Sequence, residues 1–140
     1  MKNSPMPTLK KTDFEVLSEF RYQIRRYERF SEKAVQAKGI TPLQYLLLLH
    51  IKGFPGREWA NVGELAERLQ AQPHGVVALV SRCEALGLVE RRQSTSDRRQ
   101  IEVHLTKPGE KLLSHLAAVH RAELRSLKGV FAVPVIQDQE

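Results

Sequence analysis

The chain has 140 residues, 41% apolar and 27% charged, with a net charge of +6, which is enough for one domain with an extension and a buried core. Its one cysteine, Cys83, excludes an internal disulfide framework and fits a reducing compartment. The longest apolar run, YLLLLHI, is too short to cross a bilayer, and MKNSPMPTLKKTDFEV lacks the apolar core of a secretory signal, so a cytoplasmic protein with no membrane partner is expected.

The basic excess permits an anionic partner but is unevenly spread. Residues 1–60 carry 11 Lys and Arg against 6 Asp and Glu, whereas residues 61–106 carry 6 of each. Anion binding in that second block therefore has to rest on where its arginines sit.

From residue 13 to about 37, Phe14, Leu17, Phe20, Ile24, Tyr27, Phe30 and Ala34 recur at helical spacing, and Gly39 ends the run. Thr41, Pro42 and Gln44 then supply an N-cap, a first-turn proline and a capping-box partner, with Ile40 and Tyr45 as a hydrophobic staple. Leu43, the leucines at 46 to 49 and Ile51 make this second helix apolar nearly all round, so it is expected to be central and buried. Asn61 and Glu64 repeat the capping box and open a short helix through Leu69, with Val62, Leu65, Ala66 and Leu69 inward. Gln70 to Gln72 form a tight connection, and Pro73 opens a helix that Gly87 closes, Leu88 folding back on Cys83. Strands are expected at about 88–92 and 100–105, with Trp59 and Ala60 as a short third. Thr106 and Pro108 start a last helix with the stripe Leu112, Leu113, Leu116, Val119, His120, Leu124 and Leu127. The fold class is mainly α with a small β-wing. A short helix, a tight turn, a second helix and a basic-tipped hairpin make a winged helix-turn-helix.

The helix from 73 to 86 has two unlike faces. Val76, Leu79, Val80, Cys83 and Leu86 form the inner one; His74, Gly75, Ala78, Ser81, Arg82 and Ala85 form the outer one, with Val77 at the border. Small outer residues let a backbone approach the floor of a major groove, and Ser81 and Arg82 offer bonds to phosphate or base edges. The bland alternative is a solvated helix with small outer residues, although such faces usually hold more Lys and Glu.

In STSDRRQ, Arg98 and Arg99 lie on a turn, with Arg91 and Arg92 close by in the preceding strand, so four guanidinium groups are expected to gather near one protruding end. Arginine suits a narrow, electronegative minor groove. Asp97 beside them makes sense if its carboxylate holds an arginine, or the turn backbone, in one pose. A solvated hairpin with surface ion pairs is the alternative.

From about Phe20 to Leu127 the chain resembles the MarR family of bacterial transcription regulators. The resemblance is carried by ITPLQYLLLLHI, VGELAERL, LVSRCEALGLVERR and, most specifically, DRRQIEVHLTKPG. In the last, Asp97, Arg99, Leu105, Thr106 and Gly109 match the family's wing signature. The resemblance implies that Arg99 enters the minor groove braced by Asp97 and that residues 73–86 lie in the major groove. It also implies a homodimer on a pseudo-palindromic operator of double-stranded DNA, more often a repressor than an activator. Residues 1–39 and 107–140 would then form the dimerisation region and 40–106 the DNA-binding domain. Two departures stand out: Gly75, where many members carry Ser or Thr, and a short tail, VFAVPVIQDQE, where many relatives have two final helices.

A small aromatic or phenolic effector between the dimerisation helices and the winged domain is a further implication. Tyr27, Tyr45, His50 and Trp59 are candidates for its lining, each equally well explained as core or core edge. Arg21, Arg25 and Arg29 align on the first helix as a solvated face, and Cys83 reads as a packed, inert thiol rather than a redox switch. The histidines at 50, 74, 104, 115 and 120 form no metal-ligand pattern, and His50 reads as a core histidine. Neither a nucleophile with its base nor a glycine-rich phosphate loop is present, so the expectation is a non-enzyme with no cofactor. The rivals are a winged-helix protein-interaction module and a non-specific architectural DNA binder.

Overall fold

The computed structural model describes residues 6–135. Its elements are α1 (Lys11–Gln36), α2 (Pro42–Lys52), β1 (Trp59–Ala60), α3 (Val62–Leu69), α4 (Pro73–Ala85), β2 (Val89–Gln93), β3 (Ile101–Leu105) and α5 (Lys107–Ser126). The strands form one antiparallel sheet in the order β1-β3-β2. Trp59 lies across from His104, and Arg91 across from Val103.

Local chemistry sets the helix starts. Thr41 Oγ1 accepts from the Gln44 amide at 3.2 Å while Gln44 Oε1 accepts from the Thr41 amide at 2.9 Å. Asn61 and Glu64 make the same exchange at 2.8 and 2.9 Å. Thr106 Oγ1 caps α5 by accepting from the Gly109 amide at 3.1 Å. At the end of α4, Gly87 takes φ +76°, and the Leu88 amide reaches back to the Cys83 carbonyl at 3.0 Å. That is the bond a Schellman motif requires.

The core is built around α2, whose Leu47, Leu48 and Ile51 are fully buried together with Val35, Leu65, Val80, Cys83, Val103 and Leu116. Helix α2 is less central than its composition implies: Leu46 and Leu49 are half-buried and Leu43 is exposed. The first helix begins at Lys11, and its apolar stripe divides. Phe20, Ile24, Tyr27 and Phe30 are half-buried, whereas Phe14 and Leu17 are exposed at 54% and 48%. The second half of α1 lies against the body of the chain, and Val35, outside the expected stripe, is its fully buried residue. Two further apolar positions expected inside, Leu86 and Leu124, are exposed, as is Ile101. Leu86 is the C-cap of α4, Ile101 stands at the outer end of the wing, and Leu124 is in the last turns of α5, beyond the body. Of the tail, Phe131 folds back onto Phe20 and Tyr27, at 6.3 and 6.1 Å between ring centroids. Residues 136–140 lie outside the described part.

A knot of backbone contacts joins the wing to α5. The Thr106 amide donates to the Leu88 carbonyl at 3.1 Å, and its hydroxyl donates to the Gly87 carbonyl at 2.6 Å. Gly109 sits so close that a Cβ there would stand 2.0 Å from the Leu88 oxygen. This contact is the physical content of the Leu-Thr-x-x-Gly run.

Candidate nucleic-acid interface

The turn Gln70 to Gln72 separates α3 from α4 by one left-handed residue, Gln70 at φ 52°, whose amide side chain donates to the Glu67 carbonyl at 2.7 Å. Helix α4 then buries Val76, Leu79, Val80 and Cys83. Its other side presents His74, Gly75, Val77, Ala78, Ser81 and Arg82, all exposed. Burial holds the Cys83 thiol neutral, pushing its pKa up to about 11. That environment suits a packed cysteine, because the reactive form is the thiolate.

The wing is a hairpin whose turn is closed by its own polar atoms. The Ser94 amide donates to the Gln100 carbonyl and the Gln100 amide to the Asp97 carbonyl, both at 3.0 Å. Ser94, only 6% exposed, accepts at Oγ from the amides of Ser96 and Asp97. Asp97 Oδ1 accepts from the Arg99 amide at 3.0 Å, whereas its ion pair with Arg99 Nε is long, at 3.9 Å. The carboxylate therefore shapes the turn more than it holds the guanidinium. The Arg99 side chain is 96% exposed. An ion pair so open to water contributes almost nothing to stability, and Arg99 is left displayed on a stiff base. Arg98 is exposed beside it, and its carbonyl accepts from Gln93 Nε2 at 2.9 Å.

The four wing arginines do not gather at one end. Arg92 turns to Glu90 on its own strand. Arg91 folds back onto α4: its Nη1 donates to Glu84 Oε1 at 2.7 Å, and its Nη2 to Ser81 Oγ at 2.9 Å and to the Val77 carbonyl at 3.2 Å. The cause is strand alternation. Arg91 lies directly across from Val103, which is fully buried, so it shares the face turned toward the body. Only Arg98 and Arg99 occupy the tip.

The four effector candidates also divide. Tyr45 stacks on His120 at 4.5 Å between centroids and Tyr27 meets the same ring edge-on at 6.2 Å, so these two converge where α1, α2 and α5 meet. Burial pushes the Tyr45 hydroxyl up to about 12, with a further contribution from Tyr27. It raises Tyr27 as well, helped by Glu123. His120 is buried, with Nδ1 2.7 Å from the Leu116 carbonyl and Nε2 2.7 Å from Ser31 Oγ. A carbonyl only accepts, so Nδ1 carries the proton, and in the neutral ring Nε2 accepts from the Ser31 hydroxyl. In the sequence His120 has only a place in a stripe, whereas in the fold it is the centre of this junction. His50 and Trp59 lie elsewhere. His50 is half-buried rather than core, with its pKa lowered first by burial and then by Arg68. Trp59 stacks on His104 at 6.1 Å, under the Arg57 guanidinium at 3.9 Å. Arg57 also lies over Phe54 and pairs with Glu64, which fastens the loop after α2 to the start of α3. Among the described residues no group of three or more His, Cys, Asp or Glu comes together as a metal site. No described helix is long and apolar enough to cross a membrane.

A helix-turn-helix with an open, small-sided second helix, followed by an arginine-tipped hairpin, defines the winged helix-turn-helix class. Residues 38–100 match the model of the MarR family. The chain is 30% identical over 90 residues to the HTH-type transcriptional repressor MdtR of Bacillus subtilis (strain 168), an overlap covering 64% of this chain and 56% of MdtR. In structure it is similar to AbsC, a MarR family transcriptional regulator from Streptomyces coelicolor, with TM-score 0.75, 24% identity and coverage of 86% and 81% of the two chains. It is also similar to a point mutant of MepR from S. aureus bound to an oligodeoxyribonucleotide, with TM-score 0.64, 18% identity and coverage of 89% and 86%. The winged helix-turn-helix segment of this chain is thus similar to the MarR family, and the chain spans only part of the length of the curated relatives it matches, both named as transcriptional regulators.

Proposed function

We propose that the protein is a sequence-specific DNA-binding repressor acting as a homodimer on a pseudo-palindromic operator. In this reading α4 enters the major groove with His74, Gly75, Val77, Ala78, Ser81 and Arg82 toward the bases and phosphates. Arg99 enters the flanking minor groove and Arg98 takes a phosphate. The observation that carries the reading is the pairing of the open, small-sided face of α4 with a nearly fully exposed Arg99 on a turn locked by Asp97 and Ser94. Pre-shaping the turn lowers the entropy lost when the arginine docks.

Dimerisation through residues 1–39 and 107–140 is supported by the exposed apolar surface at Leu9, Phe14, Val16 and Leu17 on and before the first half of α1, and at Leu124 and Val130. Such a cluster marks an interaction surface. Two-fold symmetry would set the recognition helices about 34–36 Å apart, one turn of DNA. A small aromatic or phenolic effector acting near Tyr27 and Tyr45 would bear on the junction through which the dimerisation helices meet α2.

The test is selection of genomic DNA by the purified protein at physiological salt, followed by binding to the enriched duplex across a salt series. One enriched palindrome and a steep decline of log K with log salt are expected. A shallow slope with no enriched site would instead support a protein-interaction module, and a steep slope without site preference a non-specific binder. Repeating the selection with added phenolic compounds tests effector release.

A further inference from the structure

We infer that Arg91 is a positioning residue, one half of a clamp with Glu84 that fixes the wing relative to the recognition helix. This rests on the proposal that α4 and the wing both read DNA. Its three acceptors, at positions 77, 81 and 84, lie along a single face of α4. Glu84 is fixed in turn from the strand side, because its Oε2 accepts from the Arg91 backbone amide at 3.0 Å. The carboxylate thus grips both ends of one residue, and the guanidinium spans two turns of helix. Exposure separates Arg91 from Arg99: 28% for the Arg91 side chain against 96% for Arg99. A planar fork engaged on both arms has little left to offer a phosphate.

The clamp has a consequence for Ser81. Its Oγ accepts from Arg91 Nη2, so its own hydroxyl hydrogen is free to donate, and Ser81 is presented to DNA as a donor toward phosphate or base acceptors. The clamp also explains why a carboxylate sits on a helix proposed to face a polyanion. Glu84 cancels the charge of Arg91, and the pair contributes alignment rather than counterion release.

Alignment and charge predict opposite signs, which makes the inference testable. If charge alone mattered, Glu84→Gln would remove repulsion and tighten binding. If the clamp aligns the two reading elements, Glu84→Gln weakens it. The experiment uses the full chain, the duplex enriched by the wild-type protein, and a scrambled duplex, each titrated across salt. Glu84→Gln and Arg91→Gln are each expected to weaken the enriched duplex about tenfold, and the double variant no more than either single one, since neighbouring groups in one network are non-additive. The slope of log K against log salt stays at the wild-type value, and the scrambled duplex is bound as before. Arg91→Lys recovers little, because an ammonium cannot fork. Circular dichroism and the melting midpoint confirm folding; if Arg91→Gln fails to fold, Glu84→Gln, a near-isosteric change at a side chain 41% exposed, decides alone. Tighter binding by Glu84→Gln overturns the inference. So does a slope shallower by about one for Arg91→Gln, which would make Arg91 a phosphate contact. A wild-type protein that prefers no duplex overturns the DNA reading beneath it, and the clamp with it; that result is recognisable because the variants then bind as the wild type does.

Discussion

Replacing Gly109 with alanine probes the contact that seats α5 on the turn before the wing. The new Cβ would stand 2.0 Å from the Leu88 carbonyl oxygen, 2.9 Å from its carbon and 3.3 Å from its Cα. Carbon and carbonyl oxygen approach to about 3.3 Å, so the start of α5 has to retreat by about 1.3 Å. That retreat stretches both bonds from Thr106 to the turn, at 2.6 and 3.1 Å. Losing them costs about 1 kcal/mol each, overpacking adds about 1–3 kcal/mol, and the better helix propensity of alanine returns at most about 1 kcal/mol. The net destabilisation is about 2–4 kcal/mol, or roughly 8–16 °C in the melting midpoint for a chain of this size. Gly75→Ala is the control, because nothing lies within 4 Å of a Cβ there, and alanine should gain up to about 1 kcal/mol. Urea and thermal unfolding of the two variants decide the matter. If Gly109→Ala proves as stable as the wild type, the close approach does not exist and the account of this motif is wrong.

Arg99→Ala is expected to weaken operator binding and to flatten its salt dependence by about 0.9 in slope, as loss of one phosphate-region cation requires; fluorescence anisotropy across salt reads both. Arg82→Ala should relax preference at one base pair by about 1–3 kcal/mol if it bonds a guanine edge, seen by comparing single-base operator variants. Phe14→Ser combined with Leu17→Ser should shift the protein toward monomer in sedimentation, each lost apolar side chain removing about 1.5–3 kcal/mol of association; an unchanged dimer would move the interface elsewhere. The Cys83 thiol, raised from 9.0 to about 11 by burial, and the Tyr45 hydroxyl, raised from 10.0 to about 12, both favour the folded state only while neutral. Stability from these groups is thus complete below pH 9.0 and is lost as pH climbs through their folded values. Urea midpoints should fall over that alkaline range, and native Cys83 should resist a maleimide until the chain unfolds.

Much of the fold is written in local chemistry. The capping boxes at Thr41 and Asn61 and the glycine at 87 need only near neighbours to act, so the sequence exposes them directly. The two faces of α4 follow from helical period in the same way, apart from Leu86 at its C-cap. Where the reading failed, the deciding atoms were distant in sequence. Four arginines around one hairpin look alike until strand pairing sets Arg91 opposite Val103 and sends it to α4. Phe14 and Leu17 share a stripe with Phe20 and Ile24, but periodicity gives a face without saying whether its own chain covers it. Tyr27 and Tyr45 were legible as aromatic side chains at the edge of the core, yet their meeting at His120 depends on α5, which begins more than 60 residues later than α2. Trp59 was drawn instead to His104 and Arg57 by sheet register. Even Gly109, plain as a motif letter, owes its identity to a carbonyl contributed by Leu88.

The same junction at Gly87, Leu88 and Thr106 makes residues 89–105 an excursion that departs from and returns to a single place. Closure of such a loop is already secured at its root, and lengthening a closed loop costs little. Its outer end is therefore a replaceable tool bit: tips of other lengths and charge could be grafted onto this chain, retuning what it grips while leaving the chuck that holds them untouched.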